Sequence, residues 1–232
     1  MRYAILGTGA AGRTLAAKLA SLGHEVAVGT RDPRATLARA GDDSLGNPPF
    51  GRWLAERPQV RLLAFADASE FGDTVVNATA GNVSLHALEA AGRDRLAGKI
   101  VIDVANPLDF SQGMPPVLSP VNTDSLGERI QRAFPESKVV KTLNTMNARI
   151  MVEPSRVPGA HNVFVSGDDD GAKKGVTQLL VSFGWPEESV IDLGDITSAR
   201  GAEMVLPIWL RLWGALGHTD FNFHVQGART RA

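Results

Sequence analysis

Short apolar runs alternate with segments of helical spacing along most of this chain, and turn residues separate them. Residues 3–6 and 24–29 read as strands on either side of a helix over 15–22, which Gly23 ends. Further strands are predicted over 60–65, 73–78, 99–104, 139–143, 161–166 and 189–193. Helices are expected over 50–56, 83–91 and 125–134, with a brief helical turn at 68–71. The carboxylates of Asp168, Asp169 and Asp170 open another helix, where they complement its dipole and cap its free N–H groups rather than gather a metal. Residues 108–124 show no periodicity and form a long loop, either a flap over a substrate or a disordered stretch. The most apolar helical segment runs over 198–213, kinked at Pro207. Leu206, Trp209, Leu210 and Trp213 share one face, while Met204, Ile208 and Leu212 line another. Such a helix must be buried, against a second subunit or inside the core. An alternating strand over 221–225 closes the pattern.

Strands and helices in this order predict an α/β fold, a doubly wound and mainly parallel sheet. The opening stretch Tyr3-Ala4-Ile5-Leu6-Gly7-Thr8-Gly9-Ala10-Ala11-Gly12 gives that sheet a Rossmann character. Gly7 allows a tight turn, Gly9 lets a pyrophosphate approach the backbone, and Gly12 lets the helix pack on the strand. The helix N-terminus then faces the phosphates. Residues 1–150 are expected to form the nucleotide-binding domain. Residues 151–232 are expected to form a small C-terminal α/β region that completes a cleft and contributes to a dimer interface.

Composition narrows the function without naming it. A net charge of −1 over 232 residues gives no electrostatic footprint for nucleic acid or an anionic membrane. With no cysteine there are no disulfides, thiolate nucleophiles or cysteine-ligated metals. No run is long enough to span a bilayer. The first strand leaves no room for a signal peptide, so a cytoplasmic protein acting on small molecules is expected.

The candidate chemistry lies at strand ends. Dinucleotide sites that read a free 2′-hydroxyl carry an acidic residue after the second strand. Here Thr30 and Arg31 stand there, and a hydroxyl with a guanidinium suits a 2′-phosphate. Asp32 has a separate task as helix N-cap, with Pro33 at the first position. The link Ala78-Thr79-Ala80 either flanks the cofactor or is a small connector. Asn106, before Pro107, meets the ribose or nicotinamide, or else serves the turn. Asn144, Thr145, Met146 and Asn147 stand at the edge where reactants belong. His86 reads as a surface or packing residue.

The Gly-Thr-Gly-Ala-Ala-Gly loop, Gly29-Thr30-Arg31, Val165-Ser166-Gly167-Asp168-Asp169 and the Ser198-Ala199-Arg200 helix start together resemble the NADP oxidoreductases that use the deazaflavin coenzyme F420. The resemblance covers nearly the whole chain. It implies hydride transfer between NADPH and the deazaflavin ring. Thr8, Thr30 and Arg31 would hold the 2′-phosphate, with Arg34 standing in for a further basic contact that falls near Ala35. The loop after Leu143 and the segment around Leu206-Pro207 would line the cleft, with Phe221 near the nicotinamide. The family can carry a histidine where this chain has Asn144. The cytosolic domains of animal ferric reductases are similar in fold.

Hydride transfer between two rings requires alignment more than acid–base groups. Asn144, Thr145, Met146 and Asn147 are therefore positioning residues, facing Thr79 and Asn106. Two other readings remain: an NADPH-dependent reductase of a small imine, carbonyl or other acceptor, and a nucleotide-binding regulator without catalysis.

Overall fold

The computed structural model describes residues 1–42 and 46–227. The glycine loop joins β1 (Arg2–Leu6) to α1 (Ala10–Ser21), and β2 (Glu25–Thr30) follows. Next come α2 (Pro33–Ala38), α3 (Phe50–Ala55), β3 (Val60–Ala64) and α4 (Phe65–Phe71). β4 (Thr74–Asn77), α5 (Ser84–Ala91), α6 (Arg93–Leu96) and β5 (Ile100–Asp103) complete the first half. The second half contains β6 (Leu108–Asp109), β7 (Val117–Leu118), α7 (Leu126–Ala133), β8 (Lys138–Thr142) and α8 (Ala148–Val152). It ends with β9 (Val163–Ser166), α9 (Asp170–Phe183), β10 (Val190–Asp192), α10 (Ala199–Met204) and α11 (Leu206–Leu216).

Eight strands form one sheet in the order β10-β9-β8-β5-β4-β1-β2-β3. All neighbours are parallel except β8 and β9. The expected doubly wound α/β architecture is therefore present, and the C-terminal strands extend the same sheet. Chain order reverses between β1 and β4, which creates the crevice where ligands of such sheets bind. Alternation sorts the strand residues onto two faces. Ile5, Val28, Val76, Ile102 and Val140 meet one core with Leu15, Leu19 and Leu180. Ala4, Leu6, Val75, Val101 and Val139 meet the other with Leu88, Leu96, Ile130 and Phe134.

Local chemistry sets the helix starts. Asp32 accepts from the Ala35 N–H at 3.0 Å ahead of Pro33, and Asp169 accepts from the Ala172 N–H at 2.7 Å, so both act as the expected caps. Ser125 caps α7: its hydroxyl accepts from the Glu128 N–H at 3.1 Å and donates to Glu128 Oε2 at 2.7 Å, while its own N–H donates to Asp124 Oδ1 at 3.0 Å.

Three expectations need correction. Residues 221–225 form no strand. Only the Phe223 carbonyl takes a backbone bond, from the Asn162 N–H, while the Val225 N–H is taken by the Asn162 side chain, which interrupts any ladder. Residues 108–124 are not without structure, because Leu108 pairs with Leu118 and Asp109 with Val117 in a small antiparallel hairpin. The apolar segment near the C-terminus is two helices, divided at Val205. It is only partly buried in this single chain: Ala199, Ala202, Leu206 and Trp209 are enclosed, while Met204 and Ile208 are exposed.

Replacing Ser125 with Ala removes the α7 cap and leaves Glu128 without its hydroxyl partner. A loss of about 1 kcal/mol is expected, measured as a lower urea midpoint.

Candidate functional site

The glycine loop takes its shape from close approaches that only glycine permits. Gly7 has φ +121°, and a Cβ there would lie 2.4 Å from the Ala78 carbonyl oxygen. A Cβ at Gly12 would lie 2.1 Å from the Gly7 oxygen, so both positions are closed to side chains. Gly9 differs: a Cβ there would meet nothing within 4 Å. It caps α1 with no side chain across the helix N-terminus, so the first N–H groups, from Ala10, Ala11 and Gly12, face an open cradle. That vacancy and its positive dipole suit a pyrophosphate.

The β2 end lies beside this loop, where the Gly7 N–H donates to the Gly29 carbonyl at 3.0 Å. Arg31 and Arg34 are exposed and have no hydrogen-bond or ion-pair partner among the described residues. Thr30 is buried, and its hydroxyl shares a 2.8 Å bond with Thr36. It therefore braces the turn. Thr8 is half-buried in the loop.

Register builds the rest of the site. Leu6 stands beside Asn77, Asn77 beside Asp103, and Asp103 beside Lys141, one row across the C-terminal ends of four strands. Side chains in one row share a face. Asn77 Nδ2 donates to Asp103 Oδ1 at 2.8 Å, and Lys141 Nζ donates to Asp103 Oδ2 at 2.8 Å. Lys141 also lies 2.8 Å from Glu203 of α10 and donates to the Ala105 carbonyl. Glu203 in turn accepts from the Leu126 and Gly127 N–H groups at 2.9 and 3.1 Å. Every member of this chain is buried. Burial alone would lower the Lys141 ammonium, but Asp103 and Glu203 hold it above the ordinary lysine range.

This network carries the rim above it. Thr79 donates to Asn77 Oδ1 at 2.7 Å through its hydroxyl, which also contacts Ser84 at 2.9 Å. A Cβ on Gly81 would strike the Asn106 carbonyl, so the stretch from Ala78 through Thr79 and Ala80 abuts Asn106 and Pro107. Asn106 and Asn144 are paired reciprocally: Asn106 donates to the Asn144 carbonyl at 2.7 Å, and Asn144 Nδ2 donates to Asn106 Oδ1 at 2.9 Å. Asn144 also donates to the Ala202 carbonyl of α10 at 3.0 Å. Leu143, just before it, has φ +61°, a left-handed conformation unusual for a bulky residue.

The structure thus brings Gly7, Ala78, Thr79, Ala80, Asn106 and Asn144 together along one edge. It gives the other predicted residues different surroundings. Thr145 is buried, and its hydroxyl has no partner among the described residues. Met146 is buried, and Asn147 caps α8 through the Arg149 N–H at 3.0 Å. Phe221 stacks on Trp209 of α11, with centroids 5.4 Å apart. His86 lies on the surface near Glu89. Sequence reasoning missed Asp103, Lys141 and Glu203. Their signal was available, because Asp103 and Lys141 put opposite charges at the same level of two apolar strands.

A parallel sheet with a glycine turn and an uncapped helix N-terminus at its switch point defines a Rossmann-type dinucleotide-binding protein. Residues 2–107 match the family described as NADP oxidoreductase, coenzyme F420-dependent. A solved protein of Arthrobacter sp. FB24, named as a candidate F420-dependent NADP-reductase, is 63% identical. That match covers 98% of this chain and 100% of that one, with a TM-score of 0.93. The rat metalloreductase STEAP3 is 29% identical over 213 residues, 90% of this chain. The chain spans 38% of that relative's length. A reductive aminase from Aspergillus terreus, solved with NADPH, is 16% identical with a TM-score of 0.60. It matches over 93% of this chain and 62% of its own, a likeness of fold alone.

The chain belongs to the F420-dependent NADP oxidoreductase family. It is an NADP-dependent oxidoreductase, with NADP(H) and coenzyme F420 as the cofactors that membership brings. No helix among the described residues is long and apolar enough to cross a membrane.

Lys141→Met would leave Asp103 and Glu203 as uncompensated buried carboxylates. A loss of about 3–5 kcal/mol is expected, read from urea unfolding. The folded ammonium is held above its unfolded value near ~10.4. Its contribution is therefore complete below that pH and is lost as pH rises through the folded value. The substituted protein should lack this alkaline component. An unchanged urea midpoint would mean that the charge chain does not brace the rim.

Proposed function

We propose that this protein passes a hydride between NADPH and the deazaflavin coenzyme F420. The observation that carries the reading is the open cradle at Gly9 under the uncapped start of α1, at the crevice between β1 and β4. Family membership and the Arthrobacter relative support the choice of nucleotide and acceptor. When bound, the nicotinamide supplies the transferable hydride.

This chain's residues bind, orient and exclude water. Gly7, Gly9 and Gly12 let the backbone approach the pyrophosphate, which Ala10 and Ala11 meet through their N–H groups. Arg31 and Arg34 take the 2′-phosphate, with Thr8 and Thr30 beside them, and Thr30 also braces the turn through Thr36. Ala78, Thr79, Ala80, Asn106 and Pro107 border the nicotinamide end. Asn144 orients Asn106, and Thr145, Met146 and Asn147 fix the floor. Phe221, stacked on Trp209, walls the acceptor side. Residues 1–150 hold the nucleotide, and the region after them completes the cleft. The saturated hydrogen bonds along this edge suit a reaction that depends on alignment rather than proton transfer by a side chain.

The exposed apolar side chains of α10 and α11, Met204, Ile208, Trp213 and Leu216, support a homodimer in which a second copy covers them. A groove of about 550 Å³ between Met114-Pro115 and α11 adjoins that surface. The absence of cysteine suits a cytoplasmic site of action.

Following nicotinamide absorbance tests the acceptor: NADPH should be consumed with F420. Consumption only with an imine or keto acid contradicts the deazaflavin reading, and tight binding without turnover favours a regulator. Arg31→Ala should weaken NADPH about 10- to 100-fold while sparing NADH, measured by calorimetric titration. Ile208→Glu should shift the sedimenting species from two chains to one. A wild-type protein that sediments as a monomer contradicts the homodimer.

A further inference from the structure

Arg13 lies one turn into α1, within hydrogen-bond reach of the glycine loop. The side chain is only 9% exposed. Its Nε donates to the Thr8 carbonyl at 2.8 Å, and its Nη1 donates to the Pro48 carbonyl. The guanidinium carbon stands 5.4 Å from the Phe50 ring centroid. One planar group thus ties the centre of the glycine loop to the segment that leads into α3.

We propose that Arg13 is a positioning residue for the nucleotide's pyrophosphate. The inference rests on the reading that the pyrophosphate occupies the Gly9 cradle, and it adds how that cradle is held. The Thr8 carbonyl is a dipole whose oxygen would repel a phosphate if it turned toward the cradle. The bond from Arg13 Nε holds it away, which keeps the N–H groups after Gly9 directed outward. The guanidinium also brings a fixed positive charge beneath the loop. The rigid fork is required, because a lysine ammonium cannot bond two carbonyls and sit over the Phe50 ring at once.

This role differs from that of Arg31. The pyrophosphate is common to NADPH and NADH, so losing Arg13 should weaken both alike, whereas losing a 2′-phosphate contact should weaken NADPH alone. The test is calorimetric titration of wild type, Arg13→Met and Arg13→Lys with each nucleotide at low and high salt. Amide hydrogen exchange of residues 7–12 is followed in the free proteins. Arg13→Met should weaken both nucleotides by about tenfold or more, bind with a flatter salt dependence, and exchange its loop amides faster. Arg13→Lys should keep the salt dependence but bind less tightly than wild type.

A merely structural arginine would leave the salt dependence unchanged, which would overturn the proposal. So would Arg13→Met binding within about twofold of wild type, or a loss confined to NADPH. If Arg13→Met does not fold, Arg13→Lys decides: wild-type affinity with wild-type loop exchange overturns the proposal. Wild-type protein that binds neither nucleotide overturns the underlying reading of the loop, an outcome distinguishable from failure of the arginine's role.

Discussion

A lysine ammonium buried between two carboxylates holds the working edge of this sheet together. Lys141 spends its donors on Asp103, Glu203 and the Ala105 carbonyl. The carboxylates are closed in turn by Asn77 and by the backbone N–H groups of Ala105, Leu126 and Gly127. Burying ions costs several kcal/mol each, and a pair repays it only when the remaining bonds are made. Here they are made, so two central strands, the start of α7 and all of α10 share one arrangement. Removing Lys141 leaves two buried carboxylates without their cation, so the ammonium is the member on which the arrangement depends.

Above that foundation the rim is built from neutral amides and small residues. Asn106 and Asn144 hold each other, Thr79 leans on Asn77, and the 78–81 turn presses on Asn106. Most of these polar groups are already committed, which under the proposed hydride transfer leaves alignment as the protein's contribution. The fixed edge faces a mobile choice of partner. Solved proteins named for F420-dependent NADP reduction and for reductive amination share this fold.

Much of this was legible in the sequence, for physical reasons. The glycine loop is read easily because Gly7 and Gly12 answer a steric demand, their gaps being too small for a methyl group, and Gly9 leaves the helix start open. Asp32 and Asp169 were legible as caps because capping is local. Other features depend on distant partners. Asn144 stood at the right edge, but only the fold shows that its amide turns inward to Asn106 and Ala202. Thr30 reads as a phosphate contact, and only the fold shows that its hydroxyl also bonds Thr36. The 221–225 alternation imitates a strand, whereas Asn162 replaces the partner strand with one side chain. The apolar 198–213 segment promised burial without saying against what, and a single chain leaves α11 largely uncovered.

The most direct measurement is a crystal structure of the protein with NADPH. The account predicts the pyrophosphate over Gly9 at the start of α1, the 2′-phosphate against Arg31, and the nicotinamide beside Ala78, Thr79 and Asn106. A nucleotide bound elsewhere, or one whose nicotinamide lies away from the edge built on Lys141, would contradict it.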